Sequence, residues 1–400
     1  MKILQVIASL DPRGGGPMEG VRQIAQAAAR WGNETTVVCL DDPGSPFLES
    51  SPFPVVALGP STHGYGYTPR LRPWLTTHAK EFDAVIVNGL WQFSGFAVWL
   101  ALHGTKVPYF VYPHGMLDPY FKRQFPLKHL KKWLYWPWAE YRVLRDARAV
   151  LFTCEEERLL ARESFGLYRC NEVVSGFGTA PPPFEREPAS HAFLSAFPGL
   201  RGKRLLVFLG RVHPKKGCDL LLRAFAEIAS ADPQWQLVLA GPGEEALISE
   251  LKRLARQFGI EDKVTWCGML AGTRKWGALY CAEVFVLPSH QENFGIAVAE
   301  ALACGTPVLI SNRINIWREV VSAGAGLVAA DSLEGTRQLL LTWMDLSAGS
   351  RALMRAKARQ CFESHFDIRA VARELSQTVR DLIDDQSCRS VAASGRLSVG

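Results

Sequence analysis

The stretch Pro288-Ser-His-Gln-Glu-Asn-Phe-Gly-Ile-Ala-Val-Ala-Glu-Ala-Leu-Ala-Cys-Gly-Thr-Pro307 joins a strand end to a helix. The hydrophobic residues 282–287 before it predict a buried strand that stops at the proline. Gly295 opens an alanine-rich helical run, which Gly305 and Pro307 close. The stretch therefore predicts a strand, a loop and a helix in succession, the repeating unit of a parallel α/β sheet.

Glu292 and Glu300 are the two glutamates of this stretch, the first in the predicted loop and the second in the predicted helix. Their eight-residue separation spans at most roughly 12 Å at ~1.5 Å rise per helical residue. That is about the length needed to touch both the sugar and the ribose of a sugar nucleotide whose diphosphate rests on the helix N-terminus. Glutamates at this spacing also occur on exposed helix faces, so the pair alone does not identify a site.

A second strand and loop carry two cations. Residues 205–210 predict a buried strand, and Arg211 follows at the position that faces ligands in doubly wound sheets. Lys216 comes at the start of the helix predicted at residues 218–230. The arginine fork and the lysine point charge suit a diphosphate, which develops further negative charge as its bond to a sugar breaks.

Together the two motifs resemble a known family. Gly-Arg-x-x-x-x-Lys-Gly at residues 210–217, followed by Glu-x7-Glu within Pro-Ser-x-x-Glu-x-Phe-Gly, is similar to the retaining glycosyltransferases of family 4. The resemblance extends over nearly the whole chain, and its specific motifs lie in the C-terminal half. It implies an α/β protein of the GT-B fold, with two Rossmann-like, doubly wound parallel-sheet domains that face a central cleft. The second domain would hold the donor and the first the acceptor.

The domain organisation agrees with that architecture, because 400 residues predict about two domains. The Pro/Gly run at residues 176–183 predicts the linker. We therefore expect an acceptor-side domain at residues 1–183 and a nucleotide-sugar-binding domain at residues 184–366. By the resemblance, residues 367–385 form a helix that returns to the first domain. The Ser/Ala/Gly-rich residues 386–400 predict a disordered tail.

Cysteine usage and apolar patterning predict a cytoplasmic protein that does not cross a membrane. The nine cysteines are dispersed without a C-x-x-C pair, which is typical of reduced thiols. Residues 1–7 predict the first strand rather than a signal peptide. The longest apolar stretch, around residues 93–102, is far shorter than the ~20 residues that span a bilayer.

The first loop contains the glycine run at residues 14–16. A nicotinamide-binding fingerprint on this run would need a third glycine where Glu19 stands, and Pro17 also disturbs the close helix–strand packing of that fingerprint. The resemblance implies instead that Gly15 and Gly16 approach the donor phosphates. A flexible turn between strand and helix is the alternative.

His114 and Asn88 each follow a predicted strand of the first domain. His114 comes after residues 109–112, and the next residue, Gly115, allows a ligand to approach closely. The resemblance implies that His114 hydrogen-bonds the transferred sugar, although most single histidines are structural or solvated. Asn88 stands where the family often has a histidine, so it is a candidate only for the acceptor side. The loop at residues 59–75, with Tyr65, is expected to set acceptor specificity.

The resemblance places the nucleotide base at the loop of residues 268–274 and the phosphates at the amides that begin the helix of Glu300. The predicted donor-binding residues are then Gly15, Gly16, Arg211, Lys216, Met269, Leu270, Glu292, Asn293, Phe294, Gly295, Ile296 and Glu300. The predicted catalytic residues are His114, Arg211, Lys216 and Glu292. No Asp-x-Asp occurs, so we expect no metal and no other cofactor, with the cations and the helix dipole supplying positive charge.

Residues 121–148 are unusually basic and aromatic. Eight Lys/Arg stand against two acidic residues, a local charge of +6 that equals the formal net charge of the whole chain. Basic residues interleaved with Trp and Tyr suit an anionic membrane surface. The alternative is a helix of the domain whose aromatic residues are core and whose lysines are solvated. Nucleic acid is not expected as a partner, because no RNA- or DNA-binding signature accompanies the charge.

These features predict a metal-independent, retaining hexosyltransferase with a UDP- or GDP-linked sugar as donor. A glycan or a polyprenyl-diphosphate-linked acceptor of bacterial cell-surface polysaccharide synthesis would receive the sugar. The enzyme would be cytoplasmic or peripheral at the inner face of the cytoplasmic membrane. A GT-B sugar-nucleotide epimerase and a membrane-docked scaffold without turnover are the alternatives. The sequence leaves the donor base, the sugar, the acceptor and the oligomeric state open.

Overall fold

The computed structural model of the chain describes residues 1–62, 64–229 and 232–394, with the side chains of these residues up to 385 except at residue 14. The chain divides into two compact units. The first comprises Met1–Phe177 and the chain from Ile368 onward, and the second comprises Gly178–Asp367. The first unit thus ends before the predicted boundary at residue 183, because Thr179 donates its backbone N–H to the carbonyl of Phe366 in the second unit (2.9 Å).

In its described residues the first unit contains one parallel sheet of seven strands. The strands are β1 (Lys2–Ile7), β2 (Glu34–Cys39), β3 (Val55–Ala57), β4 (Ala84–Asn88), β5 (Tyr109–Tyr112), β6 (Ala149–Phe152) and β7 (Glu172–Val174). The helices are α1 (Gly16–Ala29), α2 (Leu71–His78), α3 (Phe93–Leu102), α4 (Tyr120–Gln124), α5 (Pro126–Tyr135), α6 (Glu140–Asp146) and α7 (Glu155–Ala161). The strand order is β3-β2-β1-β4-β5-β6-β7.

The central strands of this sheet are continuous apolar runs. Every residue of β4, β5 and β6 is buried, as is typical of parallel sheets covered on both faces. Strand β5 has the bounds that the sequence predicts. The short strands β3 and β7 were not predicted, because three residues are too few for a periodic signal.

The second unit contains a parallel sheet of six strands in its described residues. The strands are β8 (Arg204–Leu209), β9 (Trp235–Ala240), β10 (Val264–Gly268), β11 (Val284–Leu287), β12 (Val308–Ser311) and β13 (Gly326–Ala329). The helices are α8 (Arg186–Ala196), α9 (Cys218–Ala229), α10 (Glu245–Gln257), α11 (Gly272–Cys281), α12 (Ile296–Ala303), α13 (Trp317–Ala323), α14 (Leu333–Asp345) and α15 (Ala348–Cys361). The strand order is β10-β9-β8-β11-β12-β13. Two doubly wound parallel sheets confirm the predicted fold class of each unit.

The last described helix, α16 (Ile368–Ser394), packs in the first unit. Asn33 donates its side-chain amide to the hydroxyl of Ser376 (2.6 Å), and Arg148 donates to the carbonyl of Leu382 (2.7 Å). The helix continues past its predicted end at residue 385, because residues 386–394 contain neither glycine nor proline. Residues 395–400 of the predicted disordered tail lie outside the described residues. Of the helices described, none combines the length and the apolar character needed to cross a membrane.

The basic–aromatic residues 121–148 divide among three short helices, α4, α5 and α6. Pro126 begins α5, and Pro137 lies in the turns between α5 and α6, so the run is not one continuous amphipathic helix. Trp136 is buried and stacks on Phe165, with ring centroids 4.2 Å apart. Part of this segment therefore belongs to the core of the first unit, as the structural alternative predicts.

Candidate functional site

In the second unit the candidate residues lie at the point where the strand order reverses. Strands β8 and β11 are neighbours there, although three helices and two strands separate them in the chain. Arg211 and Lys216 follow β8, and Glu292 follows β11. Ligands of open α/β sheets bind outside the carboxyl ends of strands at such a reversal. The tertiary structure thus brings the two sequence motifs together.

The loops after β8 and β11 hold each other. The backbone N–H of His290 donates to the carbonyl of Lys215 (2.8 Å), and the ammonium of Lys215 donates to Oε1 of Gln291 (2.9 Å). Gly217 has a φ of +66°, and a Cβ there would overlap the carbonyl oxygen of Pro288. Glycine is therefore required at position 217 both for its backbone conformation and for the approach of the second loop.

Lys216 and Glu292 form an ion pair, with 2.5 Å between Nζ and Oε1. Their side chains are 17% and 15% exposed, so the pair is largely shielded from water. The backbone of Glu292 is held by hydrogen bonds to the loop after β12. Its N–H donates to the carbonyl of Arg313 (2.9 Å), and its carbonyl accepts from the N–H of Asn315 (3.1 Å). A predicted catalytic cation and a predicted catalytic acid are thus direct partners.

Helix α12 begins beside this pair without a side-chain cap. Its N-cap residue, Gly295, has a left-handed conformation with a φ of +73° and supplies no side-chain acceptor. Phe294 is buried and packs edge-on against Phe366, which fixes the start of the helix. The first amides of a helix have no intrahelical partner, and an uncapped N-terminus attracts anions. The start of α12 at Ile296 can therefore bind a phosphate group.

Glu300 lies one turn into α12 and is 8% exposed. Its Oε1 accepts from the ammonium of Lys275 at 2.6 Å. The same ammonium lies over the ring of Trp276, 4.4 Å from the ring centroid. Lys275 belongs to α11, which follows the loop predicted to hold the base. Sequence reasoning missed Lys275, because no spacing along the chain links position 275 to position 300.

The remaining donor-side candidates differ in their surroundings. Met269 is 75% exposed, whereas Leu270 packs against a core cluster of the second unit. Asn293 accepts a hydrogen bond from the side chain of Asn315 (3.3 Å). Arg211 is exposed and lies two residues after the end of β8. No contact in the structure tests whether these residues bind a donor, so their roles stay predictions.

The first unit has its own reversal of strand order, between β1 and β4. Gly15 and Gly16 follow β1, where Gly15 has a φ of +82° and Gly16 begins α1. A Cβ at Gly15 would meet no heavy atom of the chain within 4 Å. Glycine at position 15 is thus explained by the backbone conformation rather than by packing. Asn88 ends β4 on the other side of the reversal, and His114 follows the next strand, β5.

Asn88 and His114 are linked to a third residue, Gln5 of β1. Asn88 donates its side-chain N–H to Oε1 of Gln5 (2.7 Å), so its Oδ1 faces Nε2 of His114 (3.1 Å). This arrangement assigns the proton of the imidazole to Nε2 and leaves Nδ1 as an acceptor. Asn88 and Gln5 are both buried, and Asn88 supports His114 through this contact, while its acceptor-side role stays a prediction. Gln5 was missed, although it is a polar residue within an apolar strand.

Burial lowers the pKa of His114 from 6.5 to about 4. His114 is therefore neutral at pH 7, and it stacks on Tyr112 with ring centroids 5.3 Å apart. Its backbone has a φ of +50°, which is uncommon for a residue other than glycine and is typical of functional loops. The side chain is held in one orientation with one ring nitrogen left to accept a hydrogen bond.

Glu157, a residue that sequence reasoning also missed, fixes the loop of His114. Its carboxylate is buried and accepts from the backbone N–H of Gly115 (2.5 Å). The other carboxylate oxygen accepts from the N–H and the hydroxyl of Thr153 (2.7 and 2.6 Å). These bonds tie the loop after β5 to the loop after β6.

Each unit matches one family model. Residues 15–176 match the model described as glycosyl transferase 4-like domain. Residues 194–360 match the model described as glycosyl transferases group 1. The first match contains His114 and the glycine loop, and the second contains Arg211, Lys216 and both glutamates.

Curated relatives match parts of the chain. It is 35% identical over 133 residues to D-inositol 3-phosphate glycosyltransferase 2 of Catenulispora acidiphila, covering 32% of this chain and 31% of that protein. It is 27% identical over 219 residues to the lipopolysaccharide core biosynthesis mannosyltransferase LpsB of Rhizobium meliloti, covering 53% and 56%. The chain thus spans about a third to about a half of the length of the curated relatives it matches.

Solved structures match nearly the whole chain. Anabaena HepE in complex with UDP-glucose is similar with a TM-score of 0.74 and 19% sequence identity. The similarity covers 95% of this chain and 100% of that chain. At this level of identity it shows the fold.

Proposed function

Because this chain belongs to the family 4 glycosyltransferases of the GT-B fold, we propose that it is a retaining hexosyltransferase. It would transfer a hexosyl unit from a nucleoside-diphosphate sugar to a glycan or a lipid-linked acceptor. The observation that carries the proposal is the Lys216–Glu292 ion pair, which lies at the reversal of the strand order beside the uncapped start of α12.

The leaving diphosphate would be stabilised by Arg211, Lys216 and the amides that begin α12. As the bond between the anomeric carbon and the diphosphate oxygen breaks, the electron pair passes to that oxygen. The local cations and the helix dipole stabilise the negative charge that grows on the diphosphate. The acceptor hydroxyl would attack from the same face and give its proton to the departing phosphate, which retains the anomeric configuration. Glu292 would hold the sugar hydroxyls, and it need not become a covalent nucleophile.

The two glutamates of the site are each paired with a lysine. Lys216 contacts Glu292, and Lys275 contacts Glu300. A bound donor would place its diphosphate against Lys216 and its ribose hydroxyls against Glu300. The two ammonium groups thus orient both carboxylates before the donor arrives. We propose that this arrangement acts without a metal ion or another cofactor.

The donor is proposed to be UDP- or GDP-linked. The structural neighbour from Anabaena is a complex with UDP-glucose, which favours UDP for this chain. The relative LpsB acts in lipopolysaccharide core biosynthesis, which supports a role in bacterial cell-surface polysaccharide synthesis. A polyprenyl-diphosphate-linked glycan as acceptor, and a peripheral location at the inner face of the cytoplasmic membrane, complete the proposal. The basic–aromatic composition of residues 121–148 supports that location.

Replacement of Asn88 by aspartate is expected to make activity sensitive to acid. A carboxylate opposite Nε2 would stabilise the imidazolium form of His114 and raise its pKa from about 4, so the neutral form would be lost at a higher pH. The acid limb of the profile of kcat/KM against pH should therefore move up by about one unit or more. Asn33→Asp is the matched control, because Asn33 is equally buried but bonds to Ser376. An unchanged profile would contradict the proposal that neutral His114 hydrogen-bonds the transferred sugar.

Ligand-induced thermal shift tests the proposed reaction class. UDP, GDP and ADP with their common sugar conjugates would be added in EDTA and then in magnesium. A ligand at 100 times its Kd should stabilise the protein by ~2.7 kcal/mol. A selective shift in EDTA would identify the donor base and support metal-free binding, whereas a shift only with magnesium would contradict it. Release of an epimerised sugar nucleotide without acceptor would favour the epimerase alternative.

A further inference from the structure

Helix α5 directs its apolar side chains away from the protein. None of its residues is buried. Leu127, Leu130 and Leu134 are 82%, 57% and 63% exposed, and their spacing places them on one face of the helix. Trp133 and Trp138 are also exposed. A helix of a globular protein normally turns such a stripe towards the core, so an exposed one indicates an interaction surface.

The segment that carries this stripe has exposed charges of positive sign only. Residues 119–139 contain no acidic residue, and Lys122, Arg123, Lys128 and Lys131 are exposed. The acids that flank the run, Asp118 and Glu140, are buried. Burial raises the pKa of Glu140 to about 8, so this carboxyl is mainly uncharged at neutral pH. The surface therefore combines exposed leucine and tryptophan with unopposed cations.

The opposite side of α5 is fixed to the first unit. Lys132 lies over the ring of Trp91 at 4.5 Å from the centroid, and His129 stacks on Phe165 at 4.7 Å. The hydroxyl of Tyr135 contacts that of Tyr65, which lies in the loop predicted to set acceptor specificity. These contacts hold the leucine face outward, next to the acceptor-side residues.

We propose that α5 docks the first unit on an anionic lipid bilayer. Leu127, Leu130 and Leu134 enter the interface, the tryptophans lie at headgroup depth, and the lysines contact lipid phosphates. Charge complementarity selects this partner over a second copy of the chain, since two such faces would oppose cation to cation. The inference rests on the proposed membrane location and not on the transfer reaction. A lipid-linked acceptor would then lie in the same surface that α5 binds.

Vesicle flotation tests the inference. We expect the full chain to float with vesicles of phosphatidylcholine and phosphatidylglycerol (about 7:3) and to remain unbound with phosphatidylcholine alone. Leu130→Glu should lower the partition coefficient at least about tenfold, because an inserted apolar side chain becomes charged. Leu353→Glu is the matched control, because Leu353 is 58% exposed on α15 of the second unit. This control should bind like the unchanged protein.

Charge reversal separates the electrostatic contribution. Each cation near an anionic surface raises the partition coefficient about fivefold. The partition coefficient of the Lys128→Glu/Lys131→Glu variant should therefore be at least about 25-fold lower than that of the unchanged protein. All variants should keep the thermal midpoint and the nucleotide-induced shift of the unchanged protein, since the altered side chains are exposed. Absence of a nucleotide-induced shift in the unchanged protein would contradict the proposed donor site without affecting the docking inference. Equal, near-zero flotation with both vesicle types, or a dimer that Leu130→Glu dissociates, would overturn the inference.

Discussion

Replacement of Lys216 by alanine is expected to lower kcat roughly 100- to 1000-fold, while the KM for the donor changes much less. Such a loss is typical of removing one preorganised donor from a charge that develops in the transition state. The charge on the diphosphate is greater in the transition state than in the bound donor, so the ammonium acts mainly on the chemical step. Its position 2.5 Å from Glu292 fixes the ammonium before the donor binds.

Steady-state kinetics with a saturating acceptor would measure the loss in the Lys216→Ala variant. Lys252→Ala is the matched control, because Lys252 is an exposed lysine of α10 in the same unit. The control should retain the kcat of the unchanged protein. If Lys216→Ala also retained it, the assignment of Lys216 to the leaving group would be wrong. A proportionate rise in donor KM alone would instead assign Lys216 to ground-state binding.

Replacement of Glu300 by alanine is expected to raise the donor KM roughly 10- to 150-fold. This range corresponds to ~1.5–3 kcal/mol for hydrogen bonds between ribose hydroxyls and a charged carboxylate. The buried position of Glu300 excludes water that could replace the lost acceptor. The chemical step should change little, because the ribose is remote from the breaking bond.

A second variant separates binding by Glu300 from its support by Lys275. Lys275→Met removes the ammonium that contacts Oε1 of Glu300 at 2.6 Å but leaves the carboxylate in place. It should raise the donor KM less than Glu300→Ala does. Direct calorimetric titration with the nucleoside diphosphate would measure both affinities without turnover. Donor affinity of Glu300→Ala equal to that of the unchanged protein would refute the ribose role.

The sequence predicted the central strands better than the peripheral ones. Strands β5 and β6 are short apolar runs bounded by polar or breaking residues, so their limits can be seen in the sequence. Strands β3 and β7 lie at the edges of the sheet and contain three residues each. Each pairs with the strand that precedes it in the chain, and local propensity carries no information about that pairing.

The sequence could not choose between the two interpretations of residues 121–148. Each interpretation applies to part of the segment. Trp136 is buried against Phe165, as in a helix of the core, while Leu130 is exposed, as on an interaction surface. Hydrophobicity alone does not distinguish a leucine that faces the core from one that faces a partner. The orientation of α5 follows from contacts with Trp91 and Tyr65, which are far away in the sequence.

By itself the sequence determined the alternation of strands and helices, and it placed Lys216 and Glu292 at the end of a strand or the start of a helix. It placed Glu300 within the helix that follows Glu292. These features depend on periodicity and on glycine and proline, which act over a few residues. Only the tertiary structure decided that Lys216 pairs with Glu292, Lys275 with Glu300, and His114 with Asn88. Lys216 and Glu292 lie in loops that meet because β8 and β11, which are distant in the chain, become neighbours in the sheet. The other two pairs join residues 25 and 26 positions apart on different elements, and no local pattern records those contacts.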